Sequence, residues 1–411
     1  MLRAASFAPI RRNKWVVLLA LLALGGALLW FLRAPRTRTG TDDGNYDGSP
    51  SAQRLLGAPA GVAAKLTRAP YIQWTTETSA HIVWNTDIAA STIVEWVRAG
   101  SKDKVMTLWN TLPQTRHIIK IPELRAGTVY NYRVGSNGRE LASGKFATAK
   151  RAGQKFGFAV WGDSGTASPG QKALAKQIAA QNADFFLHTG DLVYSKGEAE
   201  LYDSEFFAIY ARDLVRAPFY GSLGNHDVGT NDGQPFLDNF VLPRNGPPLL
   251  PPERNYSFDY AGAHVVILDS TQTQEMMEKY VAPWLDADLA SSKALWKFAV
   301  FHHPPFSSGK HGDEPRTQKV FAPIFARRKV DVVFNGHDHT YERYAPRDGV
   351  VYLVTGAGGA GLYKRKKTDS QTRSFNDAIH SLTRIDIHGR TLRGRQIAHD
   401  GAVIDDWGIK K

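Results

Sequence analysis

Residues 330–343 read VDVVFNGHDHTYER, and the two halves of this stretch follow different rules. The first half is a short apolar run closed by a glycine, the pattern of a strand buried on both faces. The second half sets His337, Asp338 and His339 in consecutive positions behind Gly336. Glycine lets the backbone turn sharply, so the residues that follow it can be delivered to the rim of a sheet. Outward from here, the same arrangement recurs four times. KFGFAVW (155–161) runs into Gly162-Asp163-Ser164-Gly165, and ADFFLHT (183–189) into Gly190-Asp191-Leu192-Val193-Tyr194. APFYGSL (217–223) runs into Gly224-Asn225-His226-Asp227, and WKFAVF (296–301) into His302-His303-Pro304-Pro305. Helical stretches such as QKALAKQIAAQ (171–181) lie between them. Strands alternating with helices predict an α/β domain, with mixed sheets flanked by helices. Open sheets of this kind place ligand sites outside the carboxyl ends of their strands. All five groups are therefore expected on one rim.

The donor types say what that rim would hold. Carboxylate, carboxamide, phenolate and imidazole are oxygen and nitrogen donors suited to iron, zinc or manganese. There are more of them than one ion needs, and a shared carboxylate can bridge two ions about 3.5–4 Å apart. Taken singly, an Asp behind a strand and a Gly is usually a helix cap, and a lone Tyr is half-buried packing. Joint order and placement separate this set from those bland alternatives.

The ordered blocks GDSG, GDLVY, GNHD, HHPP and GHDHTYER resemble the signature of the purple acid phosphatases, within the calcineurin-like metallophosphoesterases. Many metallophosphoesterases carry Asp-x-His in the first block. Here Gly165 takes the third position, and Tyr194 stands where this family supplies a compensating tyrosine. The resemblance implies an acid phosphatase acting on small phosphate monoesters through a hydroxide at a dinuclear centre of Fe(III) and a divalent ion (Zn, Mn or Fe). Asp163, Tyr194 and His339 would bind the ferric ion, Asp191 would bridge, and Asn225, His302 and His337 would hold the divalent ion. In the fourth block His302 fits the family's His-x-Pro pattern better than His303 does. The same resemblance makes His226 and His311 the candidates for contacting the phosphoryl group and protonating the leaving group. A phosphodiesterase or nucleotide hydrolase on the same metals is one rival reading. A non-catalytic, membrane-anchored binding protein is another.

Upstream the texture changes. Residues 62–149 contain short β-rich runs between turn-prone pieces, which predicts an all-β sandwich. It resembles the fibronectin type III-like domain that precedes the catalytic domain in larger purple acid phosphatases, and residues 150–411 would be the catalytic domain. Residues 33–61 read as a flexible tether. Residues 15–32, WVVLLALLALGGALLWFL, carry no charge over eighteen positions, near the lower limit for a membrane-spanning helix. The alternative is a cleaved signal peptide, but the apolar run is long for one and no A-x-A site follows it. The basic tail 1–14 favours a cytoplasmic N-terminus and an extracytoplasmic catalytic domain. The 411-residue chain has a formal charge of +12, yet seven of its basic residues flank this one segment, so no nucleic-acid partner is expected. Absence of cysteine excludes disulfides, thiolate metal sites and thiol catalysis. The cluster Lys364-Arg365-Lys366-Lys367 reads as a charged surface loop.

Overall fold

The computed structural model describes residues 63–411. The basic tail, the apolar segment and the tether lie outside the described residues. Among the described residues, no helix is long and apolar enough to cross a membrane.

The first module contains β1 (Leu66–Gln73), β2 (Ala80–Arg98), β3 (Met106–Ile121), β4 (Val129–Ser136) and β5 (Arg139–Ala147). By hydrogen bonding it is one antiparallel five-stranded sheet. Its register slips around residues 85–92 of β2. Before the slip β2 pairs with β1, and after it with β4, while β3 follows along the other edge. A register break with an extra residue bends a strand. Ile72, Ile82 and Trp84 from one side of the slip share a core with Val94, Trp96, Tyr132 and Phe146 from the other. The bent sheet thereby encloses its own core.

The second module holds β6 (Phe156–Trp161), β7 (Phe185–His188) and β8 (Phe219–Gly221), then β9 (Tyr256–Tyr260), β10 (Ala263–Ile267), β11 (Trp296–Val300) and β12 (Val332–Asn335). It continues with β13 (Tyr341–Tyr344), β14 (Val351–Thr355), β15 (Thr372–Asn376), β16 (Ser381–His388), β17 (Thr391–Ala398) and β18 (Val403–Lys410). These form a seven-stranded sheet, β15-β13-β14-β12-β11-β10-β9, and a six-stranded sheet, β18-β17-β16-β6-β7-β8. β6, β7 and β8 are parallel, as are β10, β11, β12 and β14. Side chains alternate across a strand, and that alternation sorts the layers. Val265, Phe298 and Phe334 face Phe158 and Phe185 of the other sheet. Val266, Ala299 and Val333 face the helices α3 (Ala282–Ser291) and α4 (Ala322–Arg328) through Leu285, Leu289 and Phe325. Phe158 meets Phe298 and Phe334 edge-on, at ring separations of 5.3 and 6.1 Å. The second module is thus helices outside two sheets packed face to face. On the six-stranded side, α1 (Pro169–Ala180) starts at Ser168, whose side chain accepts from the Gln171 amide, and buries Leu174 and Ile178.

The two modules are joined through β1. Arg68 is 7 % exposed, donates to Asp203 Oδ1 and Asn239 Oδ1 at 2.5 Å each, and lies 3.8 Å above the Phe207 ring. Tyr71 donates to Asn239 O at 2.6 Å, and its ring sits in the same core as the catalytic sheets.

A second polar tie holds α3 to the sheet. His264 meets Asp259 Oδ1 through Nδ1 and Asp288 Oδ2 through Nε2, each at 2.8 Å. Burial alone would lower its pKa, but the two carboxylates outweigh burial and raise it to about 9 from 6.5. The folded value lies above the unfolded one, so this tie stabilises fully below pH 6.5 and is lost as pH rises through 9. A shift of that size corresponds to at most about 3 kcal/mol. Urea unfolding of the parent and of His264→Gln should differ most near about pH 6 and converge towards about pH 10. A gap of constant size over that range would show that the two carboxylates do not charge His264.

Candidate metal centre

Every strand end singled out in the sequence delivers its residues to one place. Asp163 lies two residues beyond β6, Asp191 three beyond β7, Asn225 four beyond β8, and His302 and His337 two beyond β11 and β12. Tyr194 comes from the loop after β7, and His339 lies just before β13. The turns are tight. Asp163, Asp191 and His337 all have left-handed backbones, with φ of 57°, 57° and 70°. Such conformations cost non-glycine residues roughly 1–3 kcal/mol each and persist where surrounding structure enforces them. Gly336 is required by close approach, since a Cβ there would lie 2.4 Å from Asp163 Oδ2.

Asp191 is the hub. Its Oδ2 lies 3.3 Å from His302 Nε2 and accepts from the Tyr194 hydroxyl at 3.2 Å. Its Oδ1 accepts the His226 amide at 2.9 Å. Asp163 Oδ1 lies 4.0 Å from His302 Nε2 and 3.7 Å from His339 Nε2, and the carboxylate accepts the His337 amide. Asn225 Oδ1 lies 3.0 Å from His302 Nε2, and the Tyr194 hydroxyl 3.1 Å from His339 Nε2. Two imidazoles are oriented by backbone carbonyls: His302 Nδ1 donates to Thr189 O at 2.9 Å and His339 Nδ1 to Gly361 O at 2.7 Å. In the neutral tautomer this turns the His302 Nε2 lone pair onto the Asn225 and Asp191 oxygens, and that of His339 towards the Tyr194 hydroxyl and Asp163. Acceptors facing acceptors require a cation between them, and a carbonyl behind the imidazole is the usual support of a metal-bound histidine.

Electrostatics says the same. Burial carries the Asp163 carboxyl well above its ordinary range, with His302 opposing. Burial acts likewise on Asp191, but the His302 charge and hydrogen bonds overcome it and hold that carboxyl low. The His302 imidazole, which burial would depress, is raised to about 9 by Asp191 and Asp163. Burial lowers His339 to about 4 and also keeps His337 neutral. Tyr194 is pushed well up by burial and by both carboxylates. Without a metal, a proton on His302 supplies the positive charge that the carboxylates demand. A metal ion would replace that proton, and metal binding of this kind releases protons. The donor set fits the implied pair of ions.

Several supporting residues were not placed by sequence reasoning. Asp227 accepts the amides of Asp191, Leu192 and Gly224 at 2.8–2.9 Å, tying the second block to the third. Burial, reinforced by the Asp191 charge, pushes it up to about 7. His188 meets Ser164 Oγ at 3.0 Å and accepts the Gly190 amide at 3.2 Å, linking the first two blocks. Asp338 accepts the amides of His311 and Gly312 and so sets the loop that carries His311. His303 is anchored to Ser270 Oγ through Nδ1 at 2.9 Å, and one of its nitrogens lies within 4.8 Å of nitrogens of both His302 and His337. Only the double His-His in the sequence hinted at that role.

Of the two candidate proton donors, His226 packs against the Tyr194 ring at 4.4 Å, with its Nε2 3.9 Å from Asp191 Oδ2. His311 lies on the outer side, its ring 4.2 Å from that of His337. Gly165 leaves no room for an imidazole in the first block. The calcineurin-like phosphoesterase family profile matches residues 157–341, the span that contains all of these blocks. The chain carries a calcineurin-like phosphoesterase domain. Curated relatives extend the similarity beyond that span. Purple acid phosphatase 21 of Arabidopsis thaliana is 33 % identical over 300 residues, covering 67 % of this chain and 66 % of the relative. Purple acid phosphatase 22 of Arabidopsis thaliana is 30 % identical over 294 residues, covering 66 % and 65 %. This chain thus spans just under two thirds of the curated relatives it matches. A purple acid phosphatase from yellow lupin seeds shares the fold, with a TM-score of 0.73, 20 % identity, and coverage of 83 % of this chain and 74 % of the other. A structure described as PhoD shares it at a TM-score of 0.67 and 14 % identity, covering 85 % and 90 %. The blocks that resemble the purple acid phosphatases all lie within the matched phosphoesterase span.

Proposed function

We propose that this protein is a metal-dependent phosphatase that hydrolyses phosphate monoesters at a dinuclear centre of Fe(III) and a divalent ion. The observation that carries the reading is the set of oxygen and nitrogen donor atoms converging on Asp191, held together by the protons of His302 and Tyr194. Asp163, Tyr194 and His339 would hold the ferric ion, Asn225, His302 and His337 the divalent one, and Asp191 both. When bound, such ions supply positive charge for the phosphoryl oxygens and lower the pKa of a water molecule. In the net reaction the water oxygen forms a bond to phosphorus, the ester P–O bond breaks, and the leaving oxygen takes a proton.

The chain's own residues order that reaction. Asp227 and His188 fix the turns that present Asp163 and Asp191. His226 donates through Nδ1 to Ser195 O, which leaves Nε2 facing the site to hold or give a proton. His311 stands at the mouth for the same exchange on the leaving-group side.

Metal analysis and visible absorption of one purified sample test this reading. About two metals per chain, one of them iron, are expected, together with a visible band that Tyr194→Phe abolishes. A colourless, active protein with two other metals would overturn the iron assignment. Faster turnover of a phosphate bis-ester than of a monoester would overturn the substrate class.

The bent first module is assigned as fibronectin type III-like; the split pairing of β2 supports this. The apolar segment 15–32 is assigned as a membrane anchor with the catalytic domain extracytoplasmic, on its length and lack of charge. Extraction by detergent but not by high salt is expected, and release by salt alone would sink the anchor.

A further inference from the structure

The basic run Lys364-Arg365-Lys366-Lys367 comes to lie on the rim of the metal centre. The amides of Lys366 and Lys367 donate to Ser308 O at 2.9 and 3.3 Å, and the Lys367 ammonium pairs with Asp313 at 2.6 Å. This pins the run against the loop that carries Lys310 and His311. Where the two segments meet, Tyr363 stacks on the ring of His339, with centroids 3.9 Å apart and planes 11° from parallel. The Lys310 ammonium lies 4.3 Å above that tyrosine ring. The His311 ring lies 4.2 Å from that of His337, tilted by 33°. Two of the candidate ligands therefore carry an aromatic ring on their outer side, and a cation stands beyond one of them.

The charges on this rim do not cancel. Lys364 faces Asp377 at 3.6 Å, and Lys367 faces Asp313. The Arg365 guanidinium donates to Lys367 O and lies 4.7 Å from the Phe375 ring. The Asp338 carboxylate is buried and occupied by Ser307 Oγ and by the amides of His311 and Gly312. Among the described residues, Lys310 and Lys366 are exposed and have no carboxylate within ion-pair distance. Together with Arg365, they face solvent beside the opening of the centre.

We propose that this rim is a second anion subsite, selecting phosphate monoesters whose leaving group carries a further phosphate. It rests on the phosphomonoesterase reading above. The transferred phosphoryl group belongs at the metals, so the remainder of the substrate must leave past His311, Tyr363 and Lys310. A phosphate carried there meets two unpaired ammoniums. These are solvent-exposed, so their attraction falls once the screening length drops below the separation of the charges. The contact is the same in the ground and transition states, so it lowers KM and leaves kcat alone.

Butyl phosphate and 1,4-butanediol bisphosphate are the probes, compared on the full chain loaded with metal. At low salt the bisphosphate should have a KM lower by about tenfold, with the advantage shrinking towards unity near about 0.5 M salt. The Lys310→Ala/Lys366→Ala double variant should lose most of that ratio, and Lys310→Arg/Lys366→Arg should keep it. Equal KM values for both probes in the parent, or an unchanged ratio in the alanine variant, would overturn the subsite while leaving the phosphatase reading in place. Turnover of neither probe by the parent would overturn both.

Discussion

Asp191→Asn is expected to lower kcat/KM by at least about 10³-fold and to cost the protein at least one of its two metal ions. Changes to groups behind a metal ligand cost about 10–100-fold, and a residue serving both ions should cost more. The argument is local. Asn keeps the side-chain volume and an oxygen for the His226 amide, so the turn at φ 57° survives. It removes the negative charge that raises His302 and faces Tyr194. Steady-state rates on a simple monoester and metal analysis of the same preparation decide it. Full metal content with near-parental turnover would remove Asp191 from the centre.

Gly165→Ala should lower stability by about 3 kcal/mol and Tm by about 4 °C. A Cβ at this position would stand 1.7 Å from Leu192 O and 2.7 Å from Val193 Cα. Both are backbone atoms, so no side-chain rotation relieves the overlap. Gly165 O also accepts the Tyr194 amide at 2.9 Å, so opening this contact displaces the phenol from His339 and Asp191. Calorimetry with metal analysis should show a lower transition and a depleted centre together. Parental values of both would mean that the turn yields at little cost.

The legible parts of the fold were those whose signal is local. Runs such as FGFAVW and VVFN are buried along their whole length, and each ends at a glycine, so strand and turn are both marked within ten residues. β16, β17 and β18 escaped the sequence reading. In a strand such as TLRGRQIA, charged residues alternate with apolar ones, and nothing local says that it completes the six-stranded sheet beside β6. AHIVWNT and TIVEWV read as two strands and fold as one, because an irregular register interrupts the alternation without ending the pairing. In the centre, residues that carry obvious donors behind a strand were readable. Tyr363 was not, since its stacking on His339 joins positions twenty-four apart through a glycine-rich loop. The basic run after it was read as solvated surface because charge alone says nothing about what lies beneath.

The clamp of Arg68 and Tyr71 on Asp203 and Asn239 has a mechanical consequence. The gripped segment, 203–239, contains Asn225 and His226, so the first module braces the length of chain that supplies one of the seven donors and one proton carrier. The boundary near residue 150 divides topology without dividing cohesion. Cutting there would strip Arg68 and Tyr71 from the Phe207 ring and release the strut behind the centre. The bent sheet is continuous with the second module through this grip, so a force applied to it is expected to reach the loop that carries Asn225 and His226.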